Sequence, residues 1–188
     1  MANPSTEIYD TPLVLTLGHS TRSLDDFIKV LWLHGVTCLA DVRTMPRSRH
    51  NPQFNFDSLP GDLKEAGIGY EHIAALGGLR KARAESPNTG WRNKSFQGYA
   101  DYMLTPEFEA GLQHLINLAG RELVAIMCAE AVPWRCHRSL IGDALLVHGI
   151  RVGDIIGEKP AAPHKLTAWA QIKGTGLLYP ATPEIEFG

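Results

Sequence analysis

Apolar runs that suit β-strands alternate along the chain with stretches of helical periodicity. The apolar runs predict strands over 13–17, 36–42, 68–73, 122–128 and 150–156. Apolar residues at helical spacing predict helices that begin near Leu24, Leu59, Phe96, Pro106 and Leu140. Strands that alternate with helices in this way predict an α/β fold, a three-layer, mostly parallel Rossmann-like sheet flanked by helices.

The length of the chain, 188 residues, suits one domain. We expect a single α/β domain over residues 1–157, with a core that starts at about residue 13. Residues 158–188 form a Pro-rich C-terminal segment with no clear periodicity. This composition predicts a tail that packs on the domain or on a partner.

Composition and charge exclude several classes of protein. Hydrophobic residues make up 44% of the chain and the net charge is −2, which excludes a disordered chain and a histone-like basic binder. No apolar stretch approaches the ~20 residues of a membrane-spanning helix. The N-terminus lacks the pattern of a secretory signal, and three cysteines without framework spacing favour a reducing compartment. We expect a cytoplasmic protein with no membrane partner. Homo-oligomerisation stays open.

Reactive residue types follow four of the predicted strands. Ligands of open parallel sheets bind beyond the carboxyl ends of the strands, so one site is expected at this edge. The residues at these strand ends are Gly18, His19, Ser20, Asp41, Arg43, Glu71, His72, Gly77, Gly78, Cys128 and Glu130, followed by Arg135, Cys136, His137 and Arg138 at a helix start.

Four of these segments together resemble a known family. The segments are Gly18-His19-Ser20, Asp41-Val42-Arg43, Leu76-Gly77-Gly78, and Cys128-Ala129-Glu130 followed by Cys136-His137-Arg138. They resemble the domain of unknown function 488 family over most of the chain. The resemblance implies a small α/β domain with a site at this edge, and it assigns no reaction.

Cys128 ends a buried strand shortly before a predicted helix, beside Arg135 and Arg138. Helix N-terminal N–H groups and guanidinium groups favour a thiolate over a thiol, which makes Cys128 the candidate nucleophile. The same groups suit a phosphate or carboxylate. The loop is similar to the Cys-x5-Arg loop of cysteine phosphatases and rhodaneses, but it is one residue longer and contains Pro133.

Proton transfer and substrate binding would fall to the neighbouring residues. Glu130 adjoins the expected anion site, and His19 has an ordinary pKa near neutral pH, so both join Cys128 as candidate catalytic residues. Asp41 and Arg43 point to the same side of a strand and either orient the substrate or form a structural ion pair. The candidate substrate-binding residues are Ser20, Asp41, Arg43, His72, Gly77, Gly78, Arg135, Cys136, His137 and Arg138.

Structural interpretations stay open beside these roles. Free cysteines are often buried and inert, so Cys128 and Cys136 could be packing residues, and Cys38 is expected in the core. His137 could be an inward histidine held by hydrogen bonds. No cofactor is predicted. The alternative is a zinc site, for which the suitable ligands are His19, His72, Cys128, Cys136 and His137.

Three functions follow from these residues. The first is a Cys-dependent enzyme, a hydrolase or transferase, acting on a phosphate-bearing or nucleobase-containing anion. The second is a nucleotide or nucleic-acid binding module without catalysis, because aromatic residues are interleaved with basic ones in the loops facing this edge. The third is a metal-binding protein. The basic and aromatic residues concerned are Arg43, Arg47, Arg49, Phe54, Phe56, Arg80, Lys81, Arg83, Trp91, Arg92 and Lys94.

Overall fold

A computed structural model describes residues 13–181, which contain a six-stranded sheet in the order β3-β2-β4-β1-β5-β6. The first five strands of this order are mutually parallel, and β6 pairs with β5 in the antiparallel direction. The strands are β1 (Leu13–Gly18), β2 (Cys38–Asp41), β3 (Gly69–His72), β4 (Val124–Cys128), β5 (Arg151–Ile155) and β6 (Ala162–Pro163). A separate hairpin consists of β7 (Gln171–Lys173) and β8 (Gly176–Leu178).

The helices begin and end where the sequence pattern predicts. Ser23 caps the first helix by accepting the Asp26 N–H, and Gly35 follows its end at a φ of 69°. Glycines with positive φ also follow the ends of two other helices. The helices are α1 (Leu24–Leu33), α2 (Leu59–Glu65), α3 (Lys94–Tyr102), α4 (Pro106–Ala119) and α5 (Arg138–Val147), with short 3₁₀ turns over 52–54, 74–76 and 133–135.

Two hydrophobic cores lie on opposite faces of the sheet. Side chains alternate along each strand, so Ile126 of β4 packs with α3, α4 and α5, whereas Met127 packs with α1 and α2. Both faces of the central strands are therefore covered, as a parallel sheet requires. The predicted three-layer, mostly parallel α/β fold is confirmed.

The central pair of strands, β1 and β4, forms the switch point of the sheet. The helix that follows β1 packs on one face and the helix that follows β4 packs on the other, which opens a crevice at their carboxyl ends. The two loops stay in register beyond the strands, because the His19 N–H donates to the Cys128 carbonyl at 2.9 Å. A Cβ on Gly18 would lie 1.6 Å from the Glu130 carbonyl oxygen. Only glycine lets these loops cross so closely.

The segment after residue 157 departs from the prediction in one respect. The sequence predicts no strand after the one over 150–156, but β6, β7 and β8 follow it within the described residues. These short strands lack an apolar run, so pairing with their neighbours forms them rather than local pattern. The Tyr179 side chain is fully buried against the domain. The expectations for residues 1–12 and 182–188 lie outside the described residues.

A helix that spans a lipid bilayer must be both long and apolar. Across residues 13–181, none of the helices combines the length and the apolar character that a transmembrane span requires.

Candidate functional site

A cavity of about 370 Å³ opens at the carboxyl edge of the sheet, where the β4 loop meets α5. Both Cys128 and Cys136 contribute to its wall, although each side chain is almost completely buried. The remaining wall residues are Arg43, Thr44, Met45, Gly78, Leu79, Ser95, Phe96, Tyr99, Ala129, Glu130, Arg135 and His137. Residues from five separate loops and helices therefore meet here.

The two cysteines form a hydrogen-bonded pair of thiols. Cys128 is the last residue of β4, and its Sγ accepts the Glu130 N–H at 3.3 Å and the Arg138 Nε–H at 3.0 Å. Cys136 lies just before α5, and its Sγ accepts the Arg138 backbone N–H at 3.5 Å. The sulfur of Cys136 therefore lies at the N-terminus of α5, where the positive end of the helix dipole stabilises negative charge.

A histidine is also oriented toward Cys136. The His137 Nε2–H donates to the Val42 carbonyl oxygen at 3.0 Å, and a carbonyl can only accept, so Nε2 carries the proton. The other ring nitrogen, Nδ1, lies 3.6 Å from the Cys136 Sγ. A Cβ on Gly78 would lie 2.9 Å from this Nδ1, so the glycine leaves room for the ring. Neutral His137 can accept the Cys136 proton, and protonated His137 can donate to its thiolate.

These contacts separate the pKa values of the two thiols. Burial raises the pKa of Cys128 well above its ordinary value, and the hydrogen bond with Cys136 raises it further. Burial also opposes ionisation of Cys136, but the hydrogen bonds with Cys128 and His137 and the charge of Arg138 lower its pKa well below the ordinary value. These contacts favour the thiolate form at Cys136 and the thiol form at Cys128.

Arg138 lies beneath the cavity and not in it. Its side chain is completely buried and donates to the Cys128 sulfur, to the Glu130 carbonyl at 2.7 Å and to the Thr16 hydroxyl at 3.5 Å. The sequence predicted that Arg138 would hold an anionic substrate. Its guanidinium instead faces the thiol pair and the strand ends, because α5 starts directly above β1 and β4.

His19 belongs to a neighbouring cluster. Its Nδ1–H donates to the Ser20 carbonyl at 2.8 Å, and its Nε2 lies 3.4 Å from the Arg43 guanidinium. Burial lowers the pKa of His19 to about 4, so the imidazole is neutral at pH 7. The ring stacks on Phe54 with centroids 4.3 Å apart. His19 and Ser20 line a second cavity of about 290 Å³ that shares Arg43 and Glu130 with the first.

Asp41 and Arg43 form the ion pair that their spacing allows. The Arg43 guanidinium donates to both Asp41 carboxylate oxygens, at 2.6 Å for the shorter bond, and Tyr70 donates to the same carboxylate. His72 lies 2.8 Å from the Arg43 carbonyl. Asp41 is completely buried beneath the cavity, whereas Arg43 reaches its wall.

The remaining predicted residues lie around the opening. Glu130 and Arg135 are exposed and line the cavity, and so does Gly78. Gly77 is buried beside Thr44, whose Oγ1 would lie 2.7 Å from an added Cβ. Ser20 has a φ of 51° at the turn after β1. Some of the predicted residues thus line the cavity, His19 and Ser20 line the neighbouring one, and others are buried beneath them.

The loop between Cys128 and α5 differs from a phosphate-binding cradle. The N–H groups of Arg135 and Cys136 donate to the carbonyls of Val132 and Pro133 within the 3₁₀ turn. These two amides are therefore not free to bind an anion, in contrast to the loops of the cysteine phosphatases. The extra residue and Pro133 account for the turn.

A second buried cluster lies next to the site and was not predicted from the sequence. His164 lies between two carboxylates, 2.9 Å from Asp154 and 3.1 Å from Asp143, and Thr16 donates to Asp154 at 2.8 Å. Thr16 also accepts from Arg138, so it joins this cluster to the thiol pair. Asp143 lies within α5, and His164 lies in the Pro-rich segment. Neither belongs to a sequence motif, so local pattern does not predict that they pair.

A zinc site would require the candidate ligands to lie together. No group of three or more His, Cys, Asp or Glu side chains in residues 13–181 is arranged to hold a metal ion. The candidate zinc ligands have different partners instead. Cys128 and Cys136 form the thiol pair, and His137 lies beside Cys136 and donates to the Val42 carbonyl. His19 and His72 both contact Arg43.

Comparison with known proteins identifies the family. Searches of curated proteins and of solved structures find no match to this chain. A family model described as Domain of unknown function DUF488 matches residues 23–145, which is more than half of the chain and includes most of the site. The chain belongs to this family.

Proposed function

We propose that the protein is a thiol-dependent enzyme, a hydrolase or transferase, that acts on a phosphate-bearing or nucleobase-containing anion. One observation supports this proposal above the others. A buried thiol pair, set between a helix N-terminus, an imidazole and a buried guanidinium, opens into a cavity. Structural cysteines lack such partners, whereas nucleophilic cysteines require them.

We propose Cys136 rather than Cys128 as the nucleophile, because the Cys136 sulfur accepts the Arg138 N–H at the start of α5 and lies 3.6 Å from the His137 Nδ1. These contacts also lower the pKa of Cys136. In the proposed step the Cys136 thiolate forms a bond to the electrophilic phosphorus or carbon of the substrate, and the bond to the leaving group breaks. Because the thiolate already lacks its proton, the attack needs no further base. The Cys128 thiol donates its hydrogen bond to Cys136 in the resting state.

Proton transfer to the leaving group is proposed for Glu130. Glu130 is exposed at the cavity wall, whereas the only unprotonated nitrogen of His19 faces the Arg43 guanidinium. A hydroxyl acceptor, either water or a second substrate, then displaces Cys136 and gives its proton to Glu130. Water as acceptor makes the enzyme a hydrolase, and any other acceptor makes it a transferase.

The cavity wall supports the substrate class. Arg135 supplies a cation at the rim, and Phe96 and Tyr99 supply apolar ring surface of the kind that packs on a base. Arg43 reaches the same wall, but Asp41 offsets its charge. We also propose a reducing cytoplasmic location, because the three cysteines of the chain lack the spacing of a disulfide framework.

Alkylation of the cysteines with iodoacetamide tests the thiolate. Modification of each cysteine is followed by peptide mass spectrometry from pH 5 to pH 9. Cys136 should react at pH 6, at least ~10-fold faster than Cys38, whose pKa burial raises to about 11. Cys128→Ala removes the thiol that donates to Cys136 and should shift the onset of the Cys136 reaction to higher pH.

Cys38→Ala is the matched control, because Cys38 is also buried in the sheet but lies at the start of β2 and not at the start of α5. This substitution should leave the rate at Cys136 unchanged. Equal rates at Cys136 and Cys38 across the pH range would overturn the proposal.

A further inference from the structure

The cavity lined by Cys128 and Cys136, which we call the thiol cavity, adjoins two further cavities that share wall residues with it or with each other. A cavity of about 460 Å³ shares Phe96, Glu130 and Arg135 with it. A third cavity, of about 390 Å³, shares Trp91 and Trp134 with the second. The three cavities therefore follow one another from the thiol pair outward. We call the two outer cavities the tryptophan groove, after Trp91, Trp134 and Trp169 in their walls.

The rings of this groove are arranged in contact and partly open to solvent. Trp91 lies against Trp169 in a T-shaped contact with centroids 5.2 Å apart, and against Phe96 at 4.9 Å. Trp134 and Trp169 are 63% and 40% exposed. Large aromatic rings that line a concave surface and stay exposed are typical of binding sites rather than of cores.

Trp91 carries a second sign of a missing ligand. Its indole N–H is buried and has no hydrogen-bond partner among the residues that the structure describes. Buried donors in native proteins nearly always have an acceptor. Trp91 lines both cavities of the groove, so a ligand there with a carbonyl oxygen or a ring nitrogen is the acceptor that we infer for this N–H.

The charges along the groove favour an anionic ligand. Arg135 lines its inner part and Lys165 its outer part. Asp154 also lines the outer part, but His164 and Thr16 already occupy its carboxylate oxygens. Glu130 is the other acid, and it lies at the junction with the thiol cavity. Exposed rings that alternate with cations match the chemistry by which proteins bind bases and phosphates of a single strand.

We propose that the tryptophan groove binds a single-stranded nucleic acid whose bases stack on Trp134 and Trp169 and whose end reaches the thiol cavity. This inference rests on the proposed function, since it identifies the substrate as a strand rather than as a free nucleotide. Arg135 would contact a phosphate at the passage between the groove and the thiol cavity.

Fluorescence anisotropy with a labelled single strand of about eight nucleotides tests the groove. Trp134→Ala and Trp169→Ala should each weaken binding ~10-fold, because one stacked base is lost in each variant. Trp32→Ala is the matched control: Trp32 is 58% exposed but lies on α1, in the opposite layer, and should not change binding. Thermal melting verifies that all three variants are folded.

Two further ligands separate stacking from charge. An abasic strand of the same length keeps its phosphates but has no rings, and it should bind ~10-fold or more weakly to the wild type. A nucleoside monophosphate should compete only at much higher concentration than the strand. The inference would be overturned if the abasic strand or the nucleoside monophosphate bound as tightly as the intact strand. It would also be overturned if Trp134→Ala and Trp32→Ala weakened strand binding equally.

The same preparations distinguish this inference from the proposed function. Alkylation of Cys136 at pH 6 is measured on the wild type and on Trp32→Ala, and it should be equally fast in both. Rapid alkylation of Cys136 in a protein that does not bind the strand would contradict the proposed strand binding but not the proposed enzyme. Strand binding without a reactive Cys136 would overturn the enzyme.

Discussion

Two buried polar clusters lie side by side above β1, and they differ in what their polar atoms contact. The sulfur cluster consists of Cys128, Cys136, His137 and Arg138, and the carboxylate cluster consists of Asp143, Asp154, His164 and Tyr179. In the carboxylate cluster every carboxylate oxygen and both imidazole nitrogens have a protein partner. Two of its members, Asp154 and His164, line the outer part of the tryptophan groove, but their polar atoms are already paired. In the sulfur cluster both sulfurs line the thiol cavity.

The comparison separates two uses of buried charge. A buried ion costs free energy unless hydrogen bonds and an opposite charge replace its hydration. The carboxylate cluster is fully paired, so it holds the segment after β5 onto α5 and has no capacity left for a ligand. The sulfurs of the other cluster accept hydrogen bonds from the protein and also line the thiol cavity, where the proposed function places the substrate.

The largest expected effect is that of Arg138→Ala, which breaks the sulfur cluster. The substitution removes a completely buried cation and its bonds to Cys128, Glu130 and Thr16. The free energy of unfolding should fall by about 4 kcal/mol, measured by urea denaturation. Alkylation of Cys136 at pH 6 should slow as well, because the stabilising charge is lost.

Arg47→Ala is the control for Arg138→Ala. Arg47 pairs with Asp57 on the surface, where both side chains are mostly exposed. Exposed pairs contribute little, so stability should stay within error of the wild type. A similar loss in both variants would contradict the structural role assigned to Arg138.

His164→Ala should break the carboxylate cluster with a somewhat smaller effect. It leaves two buried carboxylates without their common partner, so the free energy of unfolding at pH 7 should fall by about 3 kcal/mol. The thiol pair should keep its reactivity, because Arg138 contacts it directly. Loss of the low-pH alkylation of Cys136 in this variant would show that the two clusters are not separate units.

The same histidine makes wild-type stability depend on pH. Burial lowers the pKa of His164, but the hydrogen bonds and charges of Asp143 and Asp154 outweigh it and raise that pKa to about 9. Since the folded value exceeds the ordinary 6.5, this stabilisation is complete below pH 6.5 and is lost as the pH rises through 9. Urea midpoints measured between pH 6 and pH 10 should fall in the wild type and change less in His164→Ala.

Tyr179→Phe should have the smallest effect and shows how fully the carboxylate cluster is paired. It removes one hydrogen bond to Asp143, which keeps those from His164 and the Thr167 N–H. Stability should fall by about 1 kcal/mol in urea denaturation. A loss as large as that of His164→Ala would mean that Tyr179, rather than the imidazole, is the main partner of Asp143.

Much of the fold could be predicted from local pattern. Ser23 and Gly35 mark the ends of α1, and the apolar run before Cys128 marks the central strand, because capping and alternation are properties of neighbouring residues. The placement of reactive residues at one sheet edge follows from the same pattern, since parallel strands all end on one side.

Other features depend on contacts between distant segments. Arg138 was expected at the anion, but burial beneath α5 turns it to Cys128 and Thr16. Asp143 and His164 carry no local mark, and their pairing requires the segment after β5 to fold back on α5. Trp91 was placed among loop residues of the basic edge, and its contact with Trp169 joins segments that are far apart in the chain.

The sequence by itself determined the secondary structure, the parallel sheet and the edge at which the reactive residues gather, because each follows from periodicity along the chain. Only the tertiary structure decided which of those residues touch. The order of the strands brings β1 beside β4, and with it Thr16 beneath Arg138 and Cys128 beside Cys136. A thiolate needs its donors within hydrogen-bond distance, and that distance is a property of packing rather than of spacing in the chain.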